Sequence, residues 1–283
     1  MTDRTFTPAG PDRDPVSIDS DAAHTSRIYD YLLGGTDNFA VDREVAAHAF
    51  ALYPGGLDGA RTDARANRAF LMRAVRHLAG EAGIRQFLDV GTGIPGADNT
   101  HAVAQGIAPE SRVVYVDNDP MVLAHAHALL RGTAEGATAY LSGDLRQPAE
   151  ILSQAAETLD LSRPVAVVVV GVLHVIPDED APAESVAALV DAIPSGSYLV
   201  LSHMTSDGAD ADIAGVSSRL DEHMRTTNRP APRTVEVVKG FFDGLDLLDP
   251  GLVPATAWRP DSSPGTGTPT RPMPVYCGVA RKP

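Results

Sequence analysis

The sequence is poor in cysteine, in lysine and in long apolar segments, and these shortages exclude several classes of protein. Cys277 is the single cysteine, so no disulfide can form within the chain and no zinc site can be built from cysteines. The longest apolar stretch, 165–170 with its flanks, is far shorter than the roughly 20 residues that a membrane helix needs. Residues 1–20 are polar and lack the apolar core of a signal peptide. We therefore expect a cytoplasmic protein with no metal site and no membrane partner.

Basic charge comes almost wholly from arginine, because Lys239 and Lys282 are the only lysines. Asp and Glu together number 37 against 23 Lys and Arg, which gives a formal net charge of −14. A field of this sign repels phosphate backbones. Nucleic acid is therefore not an expected partner, and the oligomeric state is left open.

Composition and helical spacing divide the chain into three predicted parts. Residues 1–24 are polar, with several Asp and Pro, and are predicted to form a flexible tail. Residues 25–84 are predicted to form a helical cap, and residues 85–283 an α/β domain. The helices of the cap are predicted from apolar spacing and glycine stops at 26–33, 38–50 and 65–79.

From residue 85 onward, short apolar strands alternate with segments of helical spacing. The predicted strands are 86–90, 112–116, 137–141, 164–176, 198–202, 245–248 and 275–280. A helix between two strands returns the chain for parallel pairing, so the alternation predicts a doubly wound α/β fold with a mostly parallel, seven-stranded sheet. No helix separates the last two strands, because the segment 259–274 is rich in Pro, Gly, Ser and Thr. We therefore expect the last strand to be antiparallel.

A glycine-rich turn follows the first of these strands, in the sequence FLDVGTGIPG at 87–96. Gly91 and Gly93 allow the backbone to turn sharply and to approach a ligand closely. The N–H groups of such a turn favour a carboxylate or a phosphate. The turn alone is weak evidence, because it also matches the dinucleotide fingerprint G-x-G-x-x-G and such turns occur without any ligand.

Acidic residues follow the second and third strands. Asp117 follows the apolar residues of VVYVDNDP at 113–120, at the tip of the second strand, where a carboxylate would accept hydrogen bonds from ribose hydroxyls. Asp119 precedes Pro120 and is interpreted as the cap of the next helix, although either aspartate could fill that role. Asp144 lies after the third strand, where it could accept from an adenine amino group or could simply cap a turn. The order of glycine turn, acid and acid favours binding of an adenosyl ligand.

With these motifs the chain resembles class I S-adenosylmethionine-dependent methyltransferases. More closely, it is similar to a bacterial family of S-adenosylmethionine methyltransferases that was long known only as a domain of unknown function. The resemblance covers nearly the whole chain after residue 24. It is carried by RIYDYLLGG at 27–35, NRAFL at 67–71, QFLDVGTG at 86–93, VYVDNDP at 114–120 and GSYLVLSH at 196–203.

The resemblance implies S-adenosylmethionine as the cofactor of the domain 85–283 and assigns residues to its parts. Gly91, Thr92 and Gly93 would face the methionine part. Asp117 would hold the ribose, Asn118 would flank the adenine, and Asp144 with Leu145 would contact the adenine edge. The N-terminal helices would cover the cofactor. The candidate pocket residues on this basis are Tyr29, Gly34, Asn38 and Asn67.

Two histidines are candidates for the acceptor side of the site. A base is needed only if the acceptor must lose a proton as it receives the methyl group. His174 follows the central apolar strand, and His203 follows the fifth strand, so both are expected at carboxyl ends of strands, where ligands bind in open sheets. A histidine at the end of an apolar strand is more often structural. His174 is the candidate catalytic residue, and His203 a candidate pocket residue.

Three functions are compatible with these residues. The first is methyl transfer to a small-molecule acceptor, which a small site under a helical cap favours. The second is a non-catalytic protein that binds S-adenosylmethionine. The third is an NAD-dependent oxidoreductase, against which stand Asp89 before the glycine turn, Pro95 within it and Asp144. The sequence favours the methyltransferase but does not reveal its acceptor.

Overall fold

The computed structural model describes residues 19–96, 99–129, 132–207, 212–223, 229–261 and 273–283. Its α-helices are α1 (Thr25–Leu33), α2 (Ala40–Ala49), α3 (Gly56–Gly80), α4 (Thr100–Ile107), α5 (Pro120–Leu129), α6 (Pro148–Ala155), α7 (Pro182–Asp191), α8 (Ile213–His223) and α9 (Val235–Gly240). Its strands are β1 (Gln86–Val90), β2 (Arg112–Asp117), β3 (Ala137–Ser142), β4 (Ala166–Val170), β5 (Tyr198–Met204), β6 (Asp246–Leu247), β7 (Val253–Pro254) and β8 (Val275–Arg281). Among these residues, no helix is long and apolar enough to cross a membrane.

The strands form one sheet in the order β3-β2-β1-β4-β5-β8-β6. Strands β1 to β5 pair in parallel, and β8 is antiparallel to β5. The prediction of a doubly wound, mostly parallel sheet with an antiparallel last strand is confirmed. The described sheet has eight strands instead of seven, because the strand beside β8 is split in two. Both β6 and β7 pair with β8, and residues 248–252, which include Pro250 and Gly251, form a turn between them.

Successive residues of each strand point to opposite faces of the sheet, and each face carries its own core. Leu88 and Val90 of β1 pack on the side of α6, α7 and α9, together with Leu199 and Leu201 of β5. Phe87 packs on the opposite side, against the C-terminal half of α3, α4 and the fully buried Trp258. This alternation fixes the direction of every side chain at the strand ends, where the candidate site lies.

A third core joins α1, α2, the N-terminal half of α3 and α8 into a cap at the carboxyl ends of the strands. Helix α3 begins at Gly56, nine residues before the predicted start at Arg65. The sequence of its first turns has several residues of low helix propensity, but burial of Ala60 and Ala64 against the rest of the cap outweighs this. Ala22 and Ala23, which the prediction placed in the tail, are buried, whereas residues 1–18 lie outside the described residues.

Strand β4 ends at Val170, not at the predicted residue 176. Gly171 has a φ of +75°, which turns the chain away from the sheet, and a short 3-10 helix follows at Leu173–Val175. An apolar β-branched run does not by itself show where a strand ends. The turn moves His174 off the strand and into a loop above the carboxyl end of the sheet.

Candidate active site

A cavity lies between the cap and the carboxyl ends of the parallel strands. Its walls come from the loops after β1, β2, β3 and β4 on one side and from α1, α3 and α8 on the other. The predicted site residues that line it are Tyr29, Asn67, Gly91, Thr92, Gly93, Asp117, Asn118, Asp144, Leu145 and His174. Parallel strands bring their carboxyl ends to one edge of the sheet, so motifs far apart in sequence meet there.

The glycine turn needs its glycines for two separate reasons. Gly91 and Gly93 have φ angles of +73° and +68°, a region that side chains with a Cβ rarely adopt. A Cβ on Gly91 would also overlap the side chain of Val172 in the loop after β4. The turn is tied to β2, because the N–H groups of Gly91 and Thr92 donate to the Val116 carbonyl at 2.7 and 3.3 Å.

Asp117 is buried at the end of β2 and braces the glycine turn. Its Oδ2 accepts from the Gly93 N–H at 2.8 Å, and its Oδ1 accepts from the Asp119 N–H at 2.9 Å. Burial is the main cause that raises the pKa of the carboxyl, opposed by these two backbone hydrogen bonds. A buried carboxylate with raised pKa is stabilised by a ligand that donates hydrogen bonds or carries positive charge.

Asp119 caps α5, as predicted, and also ties the cap to the sheet. Its Oδ1 accepts from the Met121 N–H at 2.9 Å, while its Oδ2 accepts from the Ser26 hydroxyl at 2.6 Å and lies 3.0 Å from His24 Nδ1. Burial works to raise the pKa of this carboxyl, but the bonds and charge of His24, with Ser26 and Met121, outweigh it and lower the pKa to about 2. The start of α1 is thereby fastened above β2.

Asp144 is held in place by its neighbours at the end of β3. Its carboxylate accepts from the Arg146 backbone N–H at 2.9 Å, pairs with the Arg146 guanidinium at 3.0 Å and accepts from Asn118 Nδ2 at 3.3 Å. Arg146 also pairs with Asp180 at 2.6 Å. Leu145 is buried beside this group. The loops after β2, β3 and β4 are thus linked through charged side chains at the rim of the cavity.

Asp89 is a cavity residue that sequence reasoning did not place in the site. Pleat alternation directs it to the same face as Phe87 and Asp117, where it accepts from the Thr100 hydroxyl of α4 at 2.6 Å. Burial raises its pKa to about 6, with Thr100 as the largest opposing influence. The alternation within β1 was the signal that would have found it. Two buried carboxylates therefore face one cavity, which suits a cationic ligand.

Tyr29, Asn67 and His174 line the part of the cavity that α1, α3 and the loop after β4 form. The Tyr29 hydroxyl donates to the Ala64 carbonyl at 3.1 Å and accepts from Asn67 Nδ2 at 3.1 Å. Burial, and then the charge of Arg233, lower the pKa of His174 to about 4, which keeps its ring neutral. A neutral imidazole can accept a proton, so His174 has the protonation state that a base requires.

Three of the predicted pocket residues do not line the described cavity. Gly34 is exposed and ends α1 with a φ of +91°. Asn38 organises the following loop, since its Nδ2 donates to Asp30 Oδ2 at 2.8 Å and its Oδ1 accepts from Arg43 at 2.9 Å. His203 points to the opposite face of the sheet, where its ring lies against Phe241.

Pleat alternation explains the position of His203. Leu199 and Leu201 precede it on the same face, so the residue of β5 that reaches the cavity is Met204. His203 is fully buried, with Nδ1 2.7 Å from the Met204 carbonyl and Nε2 3.0 Å from Arg233. Arg233 also donates to the carbonyls of Leu173 and Ile176, each at 2.8 Å, and thereby anchors the loop that carries His174.

The sequence matches a family model over residues 11–283, and that family is described as S-adenosyl methyltransferase. The chain belongs to this S-adenosyl methyltransferase family. It is therefore an S-adenosylmethionine-dependent methyltransferase, and the predicted cofactor is confirmed. The residues of the cavity fit this cofactor, because the glycine turn leaves open space beside Gly93 and two buried carboxylates can offset the positive sulfonium and ammonium groups.

Two solved structures resemble this methyltransferase over almost their full length. A DUF574 family protein from Streptomyces avermitilis is 43% identical, with a TM-score of 0.87, and the match covers 94% of this chain and 99% of that one. A candidate methyltransferase from Thermobifida fusca is 38% identical, with a TM-score of 0.83 and coverage of 93% and 96%. The predicted resemblance to a bacterial family once known as a domain of unknown function is thus confirmed.

A third structure shows the fold alone. A SAM-dependent methyltransferase from Anabaena variabilis is 14% identical, with a TM-score of 0.51 and coverage of 96% of this chain and 100% of that one. This similarity confirms the class I methyltransferase-like fold. Among proteins with curated descriptions, none matches this sequence.

Cofactor affinity is expected to depend on pH through Asp89. Its pKa of about 6 means that the carboxyl is neutral at pH 5 and ionised at pH 7. The cationic cofactor is attracted by the ionised form, so its dissociation constant should be roughly tenfold higher at pH 5 than at pH 7. Isothermal titration calorimetry with S-adenosylmethionine between these pH values measures the effect.

The matched variant is Asp89→Asn, which keeps the shape of the side chain and removes its charge. It should bind the cofactor weakly at every pH, with most of the pH dependence lost. A variant that keeps the full wild-type slope would assign the titration to another group, with Asp117 next to be tested because its pKa is also raised.

Proposed function

We propose that this methyltransferase transfers the methyl group of S-adenosylmethionine to a small molecule held between the cap and the sheet. The observation that carries the proposal is the cavity itself, in which the glycine turn and the strand-end acids share one space with residues of α1, α3 and α8. A site roofed by helices admits a small acceptor more readily than a macromolecule. The net charge of −14 also favours a small acceptor over nucleic acid.

The cofactor would be held along the ends of β1, β2 and β3. Gly91, Thr92 and Gly93 would face its amino-acid part, near the carboxylate of Asp89. Their N–H groups already donate to Val116 and Asp117, so their carbonyl groups are the ones available to the cofactor. Asp117 would accept from the ribose hydroxyls. The residues beside the adenine would be Asn118, Asp144 and Leu145. The contacts of Asp117 with the glycine turn support this assignment, because one carboxylate fixes the turn and faces the cavity.

His174 would act as the general base when the acceptor carries a removable proton. When bound, S-adenosylmethionine supplies an electrophilic methyl group, so little covalent chemistry is required of the protein. His174 lines the cavity, is held neutral by burial and is positioned by a loop that Arg233 anchors. The other residues of the cavity would orient the acceptor and exclude water.

The test is methyl transfer from a labelled donor. Purified protein is incubated with S-adenosylmethionine carrying a labelled methyl group and with a fractionated pool of small metabolites, and label in extracted small molecules is counted. We expect transfer to at least one fraction and none to added RNA or DNA. In parallel, calorimetry should detect binding of S-adenosylmethionine and none of NADH.

The two alternatives give different outcomes in these experiments. Tight binding of S-adenosylmethionine without transfer to any fraction would favour a non-catalytic binding protein. Binding of NADH in place of S-adenosylmethionine would favour an oxidoreductase. Transfer of label into nucleic acid would contradict a small-molecule acceptor while leaving the methyltransferase activity in place.

A further inference from the structure

Two residues of the cavity hold a buried polar atom that has no hydrogen-bond partner among the described residues. These atoms are Asn67 Oδ1 and His174 Nδ1. Other buried polar atoms without partners belong to residues that do not line the cavity, such as Ser111 and Trp258. A buried polar atom left without a partner is costly, so its presence in a ligand cavity points to a bond that the ligand makes.

The hydrogen bonds of Tyr29 fix the role of Asn67. A tyrosine hydroxyl has one proton, and that of Tyr29 is donated to the Ala64 carbonyl. Tyr29 must therefore accept from Asn67, so the Nδ2 group of Asn67 faces Tyr29. The remaining atom, Oδ1, can only accept a hydrogen bond. The ligand group that meets Asn67 is therefore an N–H or O–H donor.

Asn67 and His174 both border Gly171. A Cβ at this glycine would lie 3.2 Å from Asn67 Nδ2 and 4.0 Å from His174 Cε1. Gly171 has a φ of +75° and no side chain, so no side chain at this position fills the space beside the two residues. A ligand group placed beside Gly171 would therefore border both the amide and the imidazole.

The surroundings of this pair disfavour a charged acceptor. Apolar residues of the cavity lining include Ile28, Leu32, Leu71, Met204 and Leu220. The charged residues that α3 adds to the lining, Asp63 and Arg68, already hydrogen-bond to Tyr53 and Asn99. A carboxylate would direct its oxygens at the Asn67 oxygen, which is also an acceptor. An ammonium group would be buried without a free counter-charge from the pair and near the positive sulfonium of the cofactor. An uncharged donor group avoids both of these costs.

The basicity of His174 further limits which donor group the acceptor carries. Its pKa of about 4 makes it a weak base, so it removes a proton readily only from an acidic group. Hydroxyl groups on aromatic rings or enols are more acidic than those of alcohols. Their carbon frameworks also suit the apolar part of the lining.

We propose that Asn67 and His174 form the acceptor subsite on either side of Gly171, and that the acceptor is an uncharged, mostly apolar molecule with a phenolic or enolic hydroxyl. This inference rests on the proposed methyltransferase function. The hydroxyl proton lies between Asn67 Oδ1 and His174 Nδ1 in a three-centre hydrogen bond and then passes to His174 Nδ1. An oxygen electron pair forms the new bond to the methyl carbon, and the electron pair of the broken carbon–sulfur bond goes to sulfur. The products are a methyl ether, neutral S-adenosylhomocysteine and protonated His174.

Binding of four matched probes tests this class. The protein is first saturated with S-adenosylhomocysteine, which blocks turnover, and is titrated with 2-naphthol, naphthalene, 2-naphthoate and 2-naphthylmethylamine. We expect 2-naphthol to bind at least tenfold more tightly than each of the other three. With S-adenosylmethionine instead, 2-naphthol should be converted to 2-methoxynaphthalene. Equal affinity of the four probes, absence of 2-naphthol binding, or preference for a charged probe would overturn the proposed acceptor class.

Two variants distinguish the contribution of Asn67 Oδ1 to acceptor binding from that of the hydrogen bond between Asn67 and Tyr29. Asn67→Leu removes Oδ1 and the bond to Tyr29, whereas Tyr29→Phe removes that bond and keeps Oδ1. The preference for 2-naphthol over naphthalene should fall about tenfold in Asn67→Leu and by a clearly smaller factor in Tyr29→Phe. Equal loss in both variants would overturn the role of Asn67.

Cofactor affinity is measured in the same samples. Loss of S-adenosylmethionine binding in the wild-type protein would count against the proposed function as a whole. Intact cofactor binding with no preference for 2-naphthol would count against the acceptor class alone.

Discussion

Replacement of His174 by glutamine is expected to lower kcat for methyl transfer by roughly 10²–10⁴-fold, the usual contribution of a general base. Glutamine keeps a polar group of similar length in the cavity but cannot take up a proton near neutral pH. The dissociation constant of S-adenosylmethionine should stay within about twofold of wild type, because His174 lies on the acceptor side. Single-turnover kinetics and calorimetry on the same preparation separate the two effects.

The pH profile of kcat gives an independent test of His174. Burial lowers its pKa to about 4, and the base acts in its neutral form, so activity that depends on it should be lost only as the pH falls through about 4. Between pH 5 and 8, kcat should show no decline attributable to this residue. A decline centred near pH 6.5 that disappears in the glutamine variant would contradict a buried, neutral imidazole.

His223→Gln is the matched control for this substitution. His223 lies in α8, is exposed and approaches the Arg219 carbonyl and the ring of His48, away from the cavity lining. The control should retain wild-type kcat. If His174→Gln also retains it, the acceptor does not need a base from this residue, and positioning of the substrate accounts for the rate.

Asp117→Ala is expected to raise the dissociation constant of S-adenosylmethionine by roughly 5–150-fold, which corresponds to about 1–3 kcal/mol of binding free energy. Two causes act together. The ribose hydroxyls lose their proposed carboxylate partner, and the Gly93 and Asp119 N–H groups lose the acceptor that holds them. Calorimetry at pH 7.5 measures the change.

Two further variants make the result for Asp117 interpretable. Asp117→Asn keeps one acceptor oxygen and should fall between wild type and alanine. Asp58→Ala is the control for removing an aspartate, because the Asp58 side chain is 90% exposed and pairs with Arg61 at the start of α3. Unchanged cofactor affinity in Asp117→Ala would show that the ribose is held by another residue.

The strand sequence from β1 to β5 could be predicted because those strands are short, apolar and separated by helices. The prediction for β1 matches the observed Gln86–Val90. The predicted bounds were less accurate for elements in which local sequence preference and tertiary packing disagree. Gly56 and Gly59 hide the start of α3, and the apolar run that continues to Ile176 hides the end of β4 at Val170.

The cofactor side of the site was predicted more completely than the acceptor side. Gly91, Asp117 and Asp144 lie directly at strand ends, so their shared location follows from a parallel sheet. Asp89 was used only as evidence against an oxidoreductase and was not assigned to the site, because it lies within the strand and not after it. His203 was placed at a strand end correctly, but its face depends on the pleat, and Met204 occupies the cavity position instead.

The cap of the site could not be derived from local sequence. Helix α8 packs against α2 although about 170 residues separate them, as shown by the bond from Arg219 to the His48 carbonyl. His24 and Ser26 meet Asp119, which lies 93 residues after Ser26 in the chain. Such contacts depend on the path of the whole chain and leave no periodic signal in the sequence.

The resemblance of the sequence to a methyltransferase family predicted the cofactor, and the sequence by itself determined the class of fold and the loops that carry the glycine turn and the acids. These follow from local rules, since backbone sterics require glycine in the turn and apolar runs form buried strands. The tertiary structure alone decided which side chains share the cavity. It directed Asp89 toward the cavity and the buried His203 toward the opposite face of the sheet, and it left Asn67 and His174 with buried atoms that have no partner among the described residues. Strand register, pleat and the packing of distant helices fix these directions together.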